Sequence, residues 1–236
     1  MAALRVPTRG IASEAGEARP PLQNRVTPFG ELIATTARGT LMGNRGRLHD
    51  ADRRIVRRVA TGYRAWVTCR LAFRGRRRPV MAPNRYTELF FLDEATALAA
   101  GHRPCGECRR DDYRRFKAAW LIANPDRGLG SAALIDAIDR ELHRDRVGPD
   151  GQAGTYRARL GSLPDGVFVV GPDPAEALLV WRGRLAPWSP AGYGALRSPH
   201  GEWATVLTPR STAATIAAGY VPAVHPSLAG LTAGSG

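Results

Sequence analysis

The stretch GHRPCGECRR, residues 101–110, carries two of the three cysteines in a chain of 236 residues. Two thiolates separated by two residues can hold one tetrahedral ion from a single turn, with metal–sulfur distances of about 2.3 Å. Gly106 between them eases that turn. A redox pair would instead open a helix after a strand. Here DEATALAAG predicts a short helix that ends before the pair, with Asp93 as N-cap and Gly101 as left-handed C-cap. Metal binding is therefore the leading reading, ahead of a redox couple or an accident of composition. Three cysteines in a chain of this length do not make a disulfide framework.

A closed zinc site takes four ligands. Cys69 is the remaining cysteine, in YRAWVTCRLAF. Alternation there puts Trp66 and Thr68 on one face of a strand and Val67, Cys69 and Leu71 on the other. This strand is expected beside YTELFFL, near the end of the short helix. A buried, inert thiol is the alternative for Cys69. Five histidines compete for the fourth place. His102 reads as a packing position, His143 as the end of a charged helix, and His200 and His225 as loop residues further on. His49, in GNRGRLHD, precedes the strand of Cys69 and is chosen, with His225 next. The expected cofactor is zinc, held by Cys69, Cys105, Cys108 and His49.

YTELFFLDEATALAAGHRPCGECRR resembles the second half of the metal-binding module of the Ada alkylation-response proteins. That half has a strand, a short helix and an Arg-Pro-Cys-x-x-Cys-Arg exit. A similar module is appended to some nucleases, where a Gly-Asn…His segment comes first, and MGNRGRLHD is similar to that opening. The resemblance spans about residues 40–112 and supports His49. It implies a small zinc-stabilised α/β module. In the Ada repair site a second thiol follows the methyl-accepting cysteine, and Phe73 stands at that place here.

Residues 1–24 show no period and are expected to lack structure. Residues 25–125 are assigned to the Ada-like module, 126–228 to a helix plus a β-rich unit, and 229–236 to a flexible tail. RDDYRRFKAAWLIAN and GSAALIDAIDRELHRD read as amphipathic helices, with stripes of Phe116, Trp120 and Ala123, and of Leu134, Ile138 and Leu142. TYRARL, GVFVV, ALLVWR, RLAPWS and WATVL read as short strands of a barrel or half-barrel. The fold class is α+β. STAATIAAGYVPA echoes DEATALAAGHRPC, with Ser211, Gly219 and Pro222 at the places of Asp93, Gly101 and Pro104.

The formal charge is +13, and Lys117 is the only lysine among 34 basic residues. Such an excess points to an anionic partner, most simply nucleic acid bound with weak sequence selectivity. An arginine bias from GC-rich coding is the plainer explanation. RGRRR, residues 74–78, reads as a charged hairpin tip. With Arg109 and Arg110 it gives a candidate contact surface of Arg74, Arg76, Arg77, Arg78, Arg109 and Arg110. No phosphate loop, nucleophile elbow or His-Glu-x-x-His motif occurs, so no catalytic residue is assigned. No stretch looks like a membrane span or signal peptide, and a cytoplasmic protein is expected. The reading is a zinc-stabilised nucleic-acid-binding protein without chemistry of its own. The alternatives are an interaction module using the β-rich unit, an Ada-like methyl acceptor, and a nuclease-related protein.

Overall fold

Short apolar runs interrupted by Gly, Pro and charged turns favour short strands, and among the described residues twelve of these form two six-stranded sheets. The computed structural model describes residues 20–76, 79–148 and 153–233. Arg77, Arg78, residues 1–19 of the expected N-terminal tail and residues 234–236 of the C-terminal one lie outside the described residues. Strand β1 (Gln23–Val26) already begins inside the segment expected to lack structure, and 3-10 turns over Pro226–Ala233 overlap the other.

The first sheet contains β1, β2 (Leu32–Ala34), β3 (Leu41–Asn44), β4 (Val67–Arg70), β5 (Leu89–Phe91) and β6 (Arg103–Pro104), in the order β2-β1-β5-β3-β4-β6. Strand β3 pairs antiparallel with both β4 and β5. The Cys69 strand therefore does not lie beside YTELFFL, as expected, because β3 separates them. Residues 74–76 consequently belong to a connection between strands that flank β3 rather than to a hairpin tip.

Between β5 and β6 lies helix α1 (Glu94–Ala99), with Asp93 accepting from Thr96 N at 2.8 Å as its N-cap. All six of its residues are buried. Ala97 packs with Val26, Leu89 and Phe91 of the first sheet. Ala95 and Ala99 pack with Phe168 and Leu179 of the second, and Leu98 with Phe116 and Trp120. Alanine is small enough to let both sheets close on one helix, so α1 joins the halves of the core.

Helices α2 (Arg110–Ala123) and α3 (Ile135–Arg146) follow. Phe116, Trp120, Ile138 and Leu142 are buried as their spacing predicts. Leu134 is not: it is the extended residue before α3 and is 76% exposed. The second sheet runs β11-β10-β9-β8-β12-β7, all neighbours antiparallel. Its strands are β7 (Tyr156–Arg159), β8 (Phe168–Val170), β9 (Ala177–Trp181), β10 (Arg184–Ser189), β11 (Gly192–Tyr193) and β12 (Trp203–Val206). It ends in two free edges instead of closing into a barrel. The mixture of helices and sheets agrees with the α+β class.

Helix α4 (Arg210–Ala217) is the echo of α1, and the likeness is at the C-terminal end. His102 N reaches Ala97 O and Gly101 N reaches Leu98 O; Tyr220 N and Gly219 N do the same to Thr215 and Ile216. Both glycines have positive φ, +79° and +100°, as this helix-ending motif requires. The N-terminal likeness fails. Ser211 sits inside α4, and its backbone N–H is capped by Asp145 at 3.0 Å.

Candidate metal centre

The three cysteines meet because β6 is a parallel neighbour of β4. Val67 is paired with Arg103 and Thr68 with Pro104, so one further step along each strand brings Cys105 beside Cys69. Cys105 N donates to Thr68 O at 2.9 Å and fixes that register. The chain then turns back on itself. Arg109 N donates to Cys105 O at 3.1 Å, and Glu107 N donates to the Cys105 sulfur at 3.4 Å. That turn returns Cys108 to the same point.

The three Sγ atoms lie within 4.8 Å of one another. Tetrahedral zinc with thiolates at about 2.3 Å needs sulfur–sulfur separations of about 3.8 Å. The donor set and its spacing fit an ion of this kind. Cys108 is buried and the other two are half-buried. Without metal the three share protons unequally. The neighbouring Cys69 thiol, helped by the N–H groups of Cys108 and Glu107, holds Cys105 down to about 5 against the opposing effect of burial. The hydrogen bond to Cys105, then burial, pushes Cys69 well up, and burial raises Cys108. Metal coordination would replace the shared protons.

His49 does not join the thiols, contrary to expectation. Its Nδ1 is 2.7 Å from Thr87 Oγ1, its Nε2 is 3.2 Å from Ala82 O, and it is 4% exposed. Leu48 N also donates to Thr87 Oγ1, at 2.8 Å, so the whole segment is anchored on the loop before β5. His225 is also elsewhere. Its backbone N–H donates to Asp93 Oδ2 and its Nδ1 lies 2.9 Å from Ser227 Oγ. Among the described residues, the group of ligating atoms contains three thiols and no histidine or carboxylate.

The thiols border a cleft of about 480 Å³ that is also lined by Arg70, Phe73, Arg76, Tyr86, Phe90 and Glu107. Arg76 forms an exposed pair with Glu107, at 3.2 Å for one of its two contacts, and Arg74 and Arg76 both lie over the Phe73 ring, at 4.9 and 5.5 Å. Arg110 is exposed at the start of α2. No family model, curated protein or solved structure matches this chain.

Arg109 is a correction. Its side chain is 5% exposed and donates to Glu94 Oε1 at 2.7 Å, to Asp112 Oδ2 at 2.8 Å and to Thr68 Oγ1 at 3.0 Å. With its donors turned inward to these acceptors, it cannot serve as a phosphate contact. Arg70, the exposed last residue of the Cys69 strand, also lines the cleft; strand alternation places it on the face of Trp66 and Thr68, so no sequence signal marks it for this role.

Proposed function

We propose that the protein holds one zinc ion on Cys69, Cys105 and Cys108 and binds nucleic acid across the adjoining cleft, without chemistry of its own. The observation that carries this is the meeting of three sulfurs at a cleft whose wall includes Arg70, Arg76 and Phe73. Guanidinium groups suit phosphate oxygens. Phe73, Tyr86 and Phe90 offer aromatic faces of the kind on which unpaired bases stack. The zinc would tie β4 to the turn after β6, which fixes the shape of one cleft wall. With three protein sulfurs, four-coordination is completed by water or a small exogenous ligand. The Ada-type resemblance of residues 40–112 supports the same reading, with Phe73 in place of the second thiol.

A salt titration tests it. Each phosphate contact lowers log K by about 0.9 per unit of log salt on duplex DNA. Alanine at Arg70, Arg74 and Arg76 together should reduce the slope by about 2 to 3. The effect should be similar across sequences, because phosphate contacts carry no sequence information. No binding at low salt, or equal slopes in the two proteins, would leave the positive charge without this role.

The half-buried Cys69 at the cleft supports a second reading, in which it accepts an alkyl group from damaged DNA. A zinc-bound thiolate retains nucleophilicity. That transfer would be stoichiometric: the carbon–oxygen bond of a methyl phosphotriester breaks, a carbon–sulfur bond forms, and phosphodiester leaves with the electron pair.

A further inference from the structure

Among the described residues four arginines are almost fully enclosed, Arg45, Arg103, Arg109 and Arg146, and their partners divide them. Arg103 is paired with both carboxylate oxygens of Asp139, at 2.8 and 2.7 Å, and Arg109 with Glu94. Arg45 and Arg146, only 2% and 4% exposed, have no carboxylate within ion-pair distance among the described residues. Arg45 Nη2 donates to Gly30 O at 2.9 Å. Arg146 donates to Gly101 O at 2.7 Å and to Arg64 O at 2.5 Å. The Nε–H of each is buried without an acceptor. Burying an ionised group without a counter-ion is costly, and folded proteins ordinarily pair it.

Both guanidinium groups stack on Trp66, at 4.9 and 4.2 Å from its ring centroid. Both also line one small cavity with Gly30, Trp66, Ala100 and Gly154. Its volume is about 20 Å³, enough for a single water-sized particle. No acidic side chain is among its described lining residues, which also include Arg58. Burial, then the charge of Arg58, lowers Arg45 to about 9; burial also brings Arg146 to about 9 against the raising effect of Asp139, so both stay charged at neutral pH. Trp66 and Thr68 point to the opposite face of β4 from Cys69, so the cavity is separate from the metal centre and its cleft.

We infer that this cavity is a halide site, in which Arg45 and Arg146 hold one chloride-sized anion against Trp66. The charge asks for an anion, and the volume restricts it to a monatomic one. A bound anion would supply the direct ion partner that neither arginine has among the described residues. It would also tie the segment after β3, through Arg45, to the end of α3 and the C-terminal end of α1, which Arg146 already joins through Gly101 O.

The test is thermal melting of the full chain at fixed ionic strength, with gluconate replaced stepwise by chloride, bromide or phosphate. Ligand linkage gives a rise of about 5 °C or more between one and a hundred times the dissociation constant. Chloride and bromide should give that saturable rise, and Arg45→Met and Arg146→Met should lose it. An exposed-arginine control, Arg140→Met, should keep it. Should either buried-site variant fail to fold, chloride-35 line broadening on the wild-type chain supplies the answer. Saturable excess broadening displaced by bromide supports the site. Melting that follows ionic strength alone, a larger response to phosphate than to chloride, or no excess broadening overturns it.

Discussion

Arg109 Nη2 lies 2.7 Å from Glu94 Oε1, with the two side chains 5% and 3% exposed. The same Glu94 oxygen accepts from Tyr220 Oη at 2.6 Å, and its other oxygen accepts from Ala223 N at 3.0 Å. One carboxylate at the start of α1 thus receives the exit of the cysteine knuckle and the exit of α4. Asp93 beside it accepts from Tyr193 Oη at 2.7 Å and His225 N at 2.9 Å. Burial, reinforced by these carboxylates, raises both tyrosine hydroxyls, which therefore remain donors at all ordinary pH.

Breaking that network should unfold rather than disarm the protein. Arg109→Ala leaves Glu94 buried without its cation and should cost about 3–5 kcal/mol. Arg110→Ala, on the exposed neighbour, should stay within about 0.5 kcal/mol. Urea denaturation of the two variants separates them. Equal midpoints would mean that the buried pair contributes little.

Acid should weaken the fold through His102. The ring is enclosed between Trp66 and Phe91, with centroids at 5.1 and 4.8 Å. Burial, then the charges of Arg45 and Arg146, drive its pKa well below the ordinary value. It is neutral when folded and protonates when unfolded, so stability is complete above about pH 6.5 and declines below it. One such group gives about 1.4 kcal/mol per pH unit. His102→Gln should remove one proton from the pH dependence of unfolding between about pH 5 and 6. An unchanged slope would show that another group is responsible.

The sequence made some of this legible and hid the rest for identifiable reasons. Helix α1 and the knuckle were readable because caps and metal turns are local chemistry: Asp93, Gly101 and the Cys-x-x-Cys spacing lie within 16 residues. Cys69 followed because few thiols were available. His49 misled because closeness along the chain says nothing of Thr87, the long-range partner that holds its ring. Arg109 looked like one more charge in a basic run, since its partner Glu94 sits in a helical first turn where acids are ordinarily exposed. Arg45 and Arg146 carry no pattern that distinguishes a buried arginine from a solvated one. The order of the first sheet was equally hidden, because β3 inserts between β4 and β5 against the order of the chain.

Cys69 should not accept a methyl group. The Ada-type reaction uses a cysteine with a second thiol nearby in sequence, and Phe73 lines the cleft at that place. After incubation with methyl-phosphotriester DNA, intact mass should be unchanged. A gain of one methylene mapped to Cys69 would establish the transfer reading in place of simple binding.

Zinc content under reducing conditions, measured on purified wild type, Cys108→Ser and His49→Ala, tests the three-thiol centre most directly. One zinc per chain is expected in the wild type, because three sulfurs within 4.8 Å supply its protein ligands. Cys108→Ser should lose the metal. His49→Ala should keep it, because that ring is bound to Thr87 and Ala82 instead. A folded wild-type protein without metal, or a folded His49→Ala protein that has lost it, would contradict the centre described.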